Sequence, residues 1–210
     1  MLKLKTCFME HKLYERNGTS VVIPIPHSYK DVATLIKSDY FRNAGQILPI
    51  YKIWIKTLSW GGSATLLFWF RIAQYRRGWL YYLAEIIRKI TGVKYGLQIS
   101  SRMRVGYGFS IQHSFGTIIN PDTIIGNNVT LCQLVNIGTS NGKAALIGDC
   151  TFIHPMTCIV DDVVIGKNVT IGAGAVVVRD IPENATAVGV PAHVIHYNDP
   201  AKFIGHKWLI

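Results

Sequence analysis

Seven histidines occur in the chain, and one of them, His113, stands where the surrounding pattern does not ask for it. Aliphatic residues recur at almost every sixth position: Ile99, Val105, Ile111, Ile119, Ile125, Leu131, Ile137, Ile147, Ile153, Ile159, Ile165, Ile171 and Val177. The step from Ile111 to Ile119 is eight residues, so two are looped out around Gln112, His113, Ser114 and Phe115. An imidazole on such a bulge suits general-base chemistry, taking a proton from a hydroxyl or amine that attacks an acyl donor. Zinc ligation is the other chemistry open to it, but that needs further histidines close by, and the repeats hold no suitably spaced pair. No metal is therefore expected. His154 takes the place of a repeat glycine and reads equally as a corner residue or a site residue. His11, His27, His193, His196 and His206 lie outside the repeats and read as exposed.

The element that must position His113 is the repeat itself. A six-residue period supplies one short strand per unit, with two inward residues: the aliphatic and a small residue four positions later, such as Val129, Val135, Thr151 or Val169. A glycine after the aliphatic is expected to ease the corner. Three strands close a triangular coil, and the run to about Pro182 builds roughly four coils of a parallel β-helix. The register slips a second time between Ile137 and Ile147, an insertion of four within Thr139-Ser140-Asn141-Gly142-Lys143-Ala144. Solenoids take insertions at corners, often on the binding face, so this loop is expected to fold over whatever His113 touches.

The front of the chain differs in charge and pattern. Residues 1–96 hold 15 Lys/Arg against 5 Asp/Glu, and residues 97–210 hold 7 of each, so the whole net charge of +10 lies before the repeats. An anionic partner is expected there. Residues 1–27 read as irregular, with a turn at Asn17-Gly18 and a short strand over Val21–Ile25. Ser28 N-caps a helix over 29–37, followed by the Ser38-Asp39-Tyr40-Phe41-Arg42 stretch; further helices are expected over 49–58, 64–75 and 79–91, the last stopped by Gly92. Trp and Tyr interleave with Lys52, Lys56, Arg71, Arg76, Arg77, Arg88 and Lys89, which reads either as a solvated basic face or as a surface resting on anionic lipid. No nucleic-acid motif accompanies the charge. Cys7, Cys132, Cys150 and Cys158 show no metal spacing and read as packing residues in a reducing, cytoplasmic setting. No signal peptide is expected, since Glu10, Lys12, Glu15 and Arg16 interrupt any apolar run.

The stretch Gly108-Phe109-Ser110-Ile111-Gln112-His113-Ser114-Phe115-Gly116-Thr117-Ile118-Ile119-Asn120-Pro121, and the run from Ile171 through Arg179 to Pro182 with Gly189-Val190-Pro191-Ala192, resemble the left-handed β-helix acyltransferases that use acyl-CoA. Within that family the likeness is to serine acetyltransferases and their polysaccharide-modifying relatives. The resemblance implies His113 as catalytic base, and Pro155, Ala173, Val178 and Arg179 along the acetyl-CoA path. It implies Asp39 as an acceptor-side residue, and a homotrimer with the acyl-CoA groove between neighbouring β-helices. Serine acetyltransferases carry an aspartate directly before the histidine and another fifteen residues earlier; here these are Gln112 and Gln98. They also carry an Arg-His pair in the inserted loop, where this chain offers only Lys143.

The resulting expectation is an α+β protein: a basic helical domain over 1–96, a left-handed β-helix over 97–192 and a tail over 193–210. Its function is expected to be acetyl transfer from acetyl-CoA to a sugar hydroxyl of a capsule, exopolysaccharide or related glycan, in the cytoplasm and in peripheral contact with an anionic membrane. Serine is the alternative acceptor. A non-catalytic β-helix scaffold and a metal-dependent lyase are the readings from other classes.

Overall fold

The computed structural model describes residues 9–60, 62–140 and 142–209; Cys7, Gly61 and Asn141 lie outside them. The chain opens with an antiparallel hairpin, β1 (Glu10–Arg16) and β2 (Thr19–Ile25), where an irregular segment with one short strand was expected. Asn17 and Gly18 both take positive φ, 47° and 77°, the geometry that matches a two-residue turn to the twist of paired strands. The polar β1 carries no strand signal of its own. Its partner and the turn make it a strand.

Four helices follow: α1 (Tyr29–Ala44), α2 (Ile50–Trp60), α3 (Gly62–Gln74) and α4 (Tyr81–Tyr95). Ser28 caps α1 as expected, its Oγ accepting from the Asp31 N–H at 3.2 Å. The helix then runs through the Ser38–Arg42 stretch and stops at Gly45, which has φ 66°. Helix α4 passes through Gly92 and ends at Gly96, φ 65°. Gly92 serves close packing: a Cβ there would meet the Leu97 carbonyl oxygen at 2.6 Å.

From Arg104 the chain winds as a parallel β-helix with three sheets. The first holds β3 (Arg104–Val105), β6 (Ile124–Ile125), β9 (Leu146–Ile147) and β12 (Val164–Ile165). The second holds β4 (Ser110–Ile111), β7 (Thr130–Leu131), β10 (Phe152–Ile153), β13 (Thr170–Ile171) and β15 (Thr186–Val188), closed by the antiparallel β16 (His193–His196). The third holds β5 (Ile118–Ile119), β8 (Asn136–Gly138), β11 (Cys158–Val160) and β14 (Val176–Val177). The hexad aliphatics and the small residues four positions on fill the axis, and Leu66, Leu67 and Phe70 of α3 join that core at the first coil. The corner glycines act differently from the expectation. Left-handed corner residues include Asn128, Cys150, Asn168 and Asn184, whereas Gly106, Gly126, Gly148 and Gly166 stack coil on coil. A Cβ on Gly148 would meet Gly166 backbone carbon at 2.6 Å.

Two of the three faces are covered by the chain itself. Val21 and Ile23 of the hairpin pack on Ile124, Leu146 and Val164 of the first sheet. Arg42 of α1 donates to Thr130 Oγ1 at 2.9 Å on the second sheet, and the C-terminal segment seats Ala201 and Ile204 against Phe152 further along it. The residues after 192 are thus a strand and a packed segment instead of a free tail. The third sheet keeps Ile118 exposed and Asn136, Cys158 and Val176 half-buried on its outer face.

Candidate active site

His113 follows β4 at the corner between the second and third sheets, with φ 52° and an exposed side chain. Strand register sets a column of corner residues above it. Ser110–Ile111 pairs with Thr130–Leu131, which pairs with Phe152–Ile153, which pairs with Thr170–Ile171. Two residues beyond the later strand ends, the positions in line are Gln133, Pro155 and Ala173; in the first coil Phe115 takes that place, its carbonyl accepting from the Leu134 N–H at 2.9 Å, and His113 stands in the bulge just before it. Main-chain bonds continue the ladder there, with Met156 N–H donating to Gln133 O and Gly174 N–H to Pro155 O. Coils are stacked at about 4.8 Å, so the corner from the His113 bulge to Ala173 is about 14 Å tall. The backbone therefore brings His113, Pro155 and Ala173 to one edge.

Val178, Arg179 and Lys143 lie on the other edge of the third sheet, at its corner with the first. Val160 pairs with Gly138, which places Val178 of the next coil in their column and Arg179 beside Asp161 and Thr139. The inserted loop is held there too: the Ser140 N–H and Oγ donate to Asp161 Oδ1 at 2.7 and 2.9 Å, and Arg16 of the hairpin donates to Ala144 O at 2.8 Å. The expectation that this loop folds over His113 fails within one chain. The reason is the order of turning, since the loop leaves β8 one corner after the histidine corner. Five residue steps, from Ala173 to Val178, separate the edges by roughly 15 Å.

The substrate-side residues are likewise distributed. Gln112 is exposed beside Cys132, whose Sγ faces its Oε1 at 4.0 Å. Gln98 bridges to Ile118 at the foot of the third sheet, and among the described residues no side chain hydrogen-bonds the His113 ring. Asp39 is buried. It accepts from Arg71 Nε at 2.7 Å, from Arg71 Nη2 at 2.9 Å and from the Phe109 N–H at 2.8 Å. Burial pushes its carboxyl above the usual carboxylate range, and the Arg71 guanidinium and the Phe109 N–H offset part of that rise. Arg71 itself, read from the sequence as one of a basic surface set, is wholly buried and also donates to the Val105 and Gly106 carbonyls at 3.1 and 2.6 Å. The pair fastens α1 and α3 to the first coil, just upstream of Ile111 and His113.

A cavity of about 170 Å³ opens between α1, α2, α3 and β4, lined by Asp39, Asn43, Lys56, Thr57, Ser63 and Ile111 among others. It reaches the histidine loop through Ile111 and through Ser63, whose N–H donates to Ser114 Oγ at 2.6 Å. Three residues here escaped the sequence reading. Arg71 had a signal, being a lone charge inside the apolar run Leu66–Ala73 that must be paired if buried. Ser114 had only its neighbour. Gln133 sits one coil above the His113 bulge with its Oε1 buried and without a hydrogen-bond partner.

Two other groups fall outside the site. His154 packs its ring against Phe152 and Phe203 at 4.7 and 5.0 Å, and burial lowers its pKa, which makes it a structural corner residue. Burial pushes the Cys132 thiol up to about 11. At pH 8 its thiolate share is then on the order of one part in a thousand, too little for a nucleophile. Peptide mapping after iodoacetamide treatment at pH 8 should leave Cys132 unlabelled in the folded chain and labelled in urea; fast labelling of the folded chain would contradict this.

The model of the bacterial transferase hexapeptide (six repeats) family matches residues 144–179. The chain is 34% identical over 123 residues to a serine acetyltransferase of Bacillus pumilus, 57% of each chain, and 32% identical over 130 residues to that of Bacillus subtilis, 60% of this chain and 59% of the relative. It thus spans less than two thirds of the length of these curated relatives. The serine acetyltransferase of Neisseria gonorrhoeae in complex with serine superposes with a TM-score of 0.63 at 28% identity, covering 80% of this chain and 69% of that one. Repeat register, helical lead-in and these likenesses agree: the chain carries the hexapeptide repeats of bacterial transferases and is similar to serine acetyltransferases over somewhat more than half of its length.

Proposed function

We propose that the protein is an acetyl-CoA-dependent O-acetyltransferase whose base is His113. The observation that carries the reading is the shared corner that puts the His113 bulge below Pro155 and Ala173 on one open edge. His113 takes the proton of the acceptor hydroxyl as its oxygen attacks the thioester carbonyl. The tetrahedral oxyanion then collapses, the C–S bond breaks, and the imidazolium returns the proton to the departing CoA sulfur. Pro155 and Ala173 line the pantetheine path. Val178 and Arg179 lie across the third sheet, so they reach the same donor only on a neighbouring copy. The reading calls for a trimer packed through the third sheet, the face that the hairpin and the C-terminal segment leave open. Chains carrying His113→Ala and chains carrying Arg179→Ala should each be poor catalysts and regain activity when refolded together; independent additive behaviour would rule out a shared site.

The relatives are named for serine, and serine is the acceptor this likeness favours. A sugar hydroxyl is the second reading. It is favoured by Gln98 and Gln112 at the two aspartate positions, and by a loop whose one cation is Lys143. A free amino acid needs paired groups for its carboxylate and ammonium. Acetyl-CoA consumption measured against serine and against a panel of surface glycans separates the two, and failure to consume acetyl-CoA with every acceptor, together with no CoA binding in calorimetry, would leave a scaffold.

A further inference from the structure

Helix α4 has its apolar side turned to solvent. Ala84, Thr91 and Gly92 face inward, and the Glu85–Arg88 ion pair, 2.6 Å, is largely shielded beside them. Outward stand Tyr82, Leu83, Ile86, Ile90 and Val93, at the spacing of one helical stripe. Trp79, just before the helix, is 81% exposed, Tyr82 78% and Val93 86%. Fifteen helical residues make this stripe about 22 Å long. Helix α2 repeats the arrangement, with Tyr51, Trp54, Ile55 and Leu58 exposed and Ile53 and Thr57 buried. Scattered exposed apolar residues need no explanation, but a continuous stripe marks contact with an apolar partner.

The charges say which partner. Lys89 and Lys94 are exposed beside Ile86, Ile90 and Val93, and Arg76 and Arg77 are exposed in the turn before Trp79. Between residues 76 and 96 the one carboxylate is Glu85, which Arg88 already engages. Two copies apposed through this face about a two-fold axis would bring cations against cations with no carboxylate to offset them. An anionic bilayer offers what the face lacks: acyl chains for Ile86, Ile90 and Val93, a headgroup zone for Trp79 and Tyr82, and phosphates within reach of the lysines and arginines. Among the described residues no helix is long and apolar enough to cross a membrane, so the contact is one of lying on the surface.

We propose that α4, with Trp79 and the Arg76-Arg77 turn, docks this protein on an anionic phospholipid surface. The inference stands on the face of α4 and is independent of the acetyl-transfer reading, and its test uses no acetyl donor. The full chain is floated with phosphatidylcholine vesicles, with and without phosphatidylglycerol. Binding is expected on the anionic vesicles, little on the neutral ones, with a steep decline as salt rises from about 0.1 M to about 1 M. Ile86→Glu/Ile90→Glu should weaken partitioning about a hundredfold. Lys89→Glu/Lys94→Glu should weaken it about tenfold or more. Because all four side chains are exposed, neither variant should shift thermal melting, which separates lost docking from lost folding. A blue shift of tryptophan emission on adding anionic vesicles should shrink in Trp79→Phe. Absence of binding to anionic vesicles overturns the proposal, as does equal binding to neutral ones. So does an oligomer that Ile86→Glu/Ile90→Glu dissociates without any effect of lipid, which would make the face a contact between copies.

Discussion

Replacing His113 with alanine is expected to lower the turnover of acetyl transfer by about 10²–10⁴, the contribution of a positioned general base. That corresponds to roughly 3–5.5 kcal/mol of barrier. The side chain is exposed and packs against nothing that the fold needs, so the variant should melt with the wild type. This separates chemistry from stability, which is rarely possible at a buried catalytic group. The backbone φ of 52° also tolerates Asn, a residue that visits the left-handed region readily, so His113→Asn is the milder companion variant. Steady-state rates with saturating acetyl-CoA, alongside thermal melts, check the outcome. Near-wild-type turnover in both variants would remove His113 from the mechanism.

The largest effect on stability is expected at Arg71. Its guanidinium makes two bonds to Asp39, two to the backbone carbonyls of Val105 and Gly106 and one to Gln74, all inside the protein. Arg71→Met leaves the Asp39 carboxylate buried with the Phe109 N–H as its remaining strong donor. Breaking a buried pair from one side costs about 3–5 kcal/mol, which for a chain of this size lowers Tm by roughly 10–15 °C. The sign of its pH dependence follows from the cause. Burial already raises the Asp39 pKa, and without the guanidinium to oppose it the folded-state value rises further above the unfolded one. The protonated carboxyl is then the form the folded variant prefers. Stability is retained at low pH and lost as pH rises through that folded pKa, so urea unfolding should show a larger deficit at pH 8 than at pH 5. The double variant Asp39→Leu/Arg71→Met should recover part of the loss, because no charge is left unpaired. Activity in Arg71→Met should fall as well, since the pair holds Phe109 and with it the strand that leads into the histidine loop.

The β-helix was legible because its signal is local. Each coil contacts only its neighbours, so a strict step of six dictates strand, inward residue and stacking without knowledge of anything distant. The same locality exposed His113: a two-residue slip in a solenoid has to leave at a corner, and a histidine there is conspicuous. The helical caps at Ser28 were local as well. The tertiary structure decided everything that depends on which surfaces meet. Placing the insertion after Gly138 on a different edge from His113 required closing the triangle, and only then did Val178 and Arg179 separate from Pro155 and Ala173. The polar β1 became a strand by pairing with β2 and covering the first sheet. Arg71 and Lys89 look alike in a sequence of mixed aromatics and cations. One is locked beneath Asp39, a residue 32 positions away, and the other stands in solvent on a helix whose apolar side faces outward. A charge carries no mark of its own burial, because the partner that makes burial affordable is supplied by packing between segments far apart in the chain.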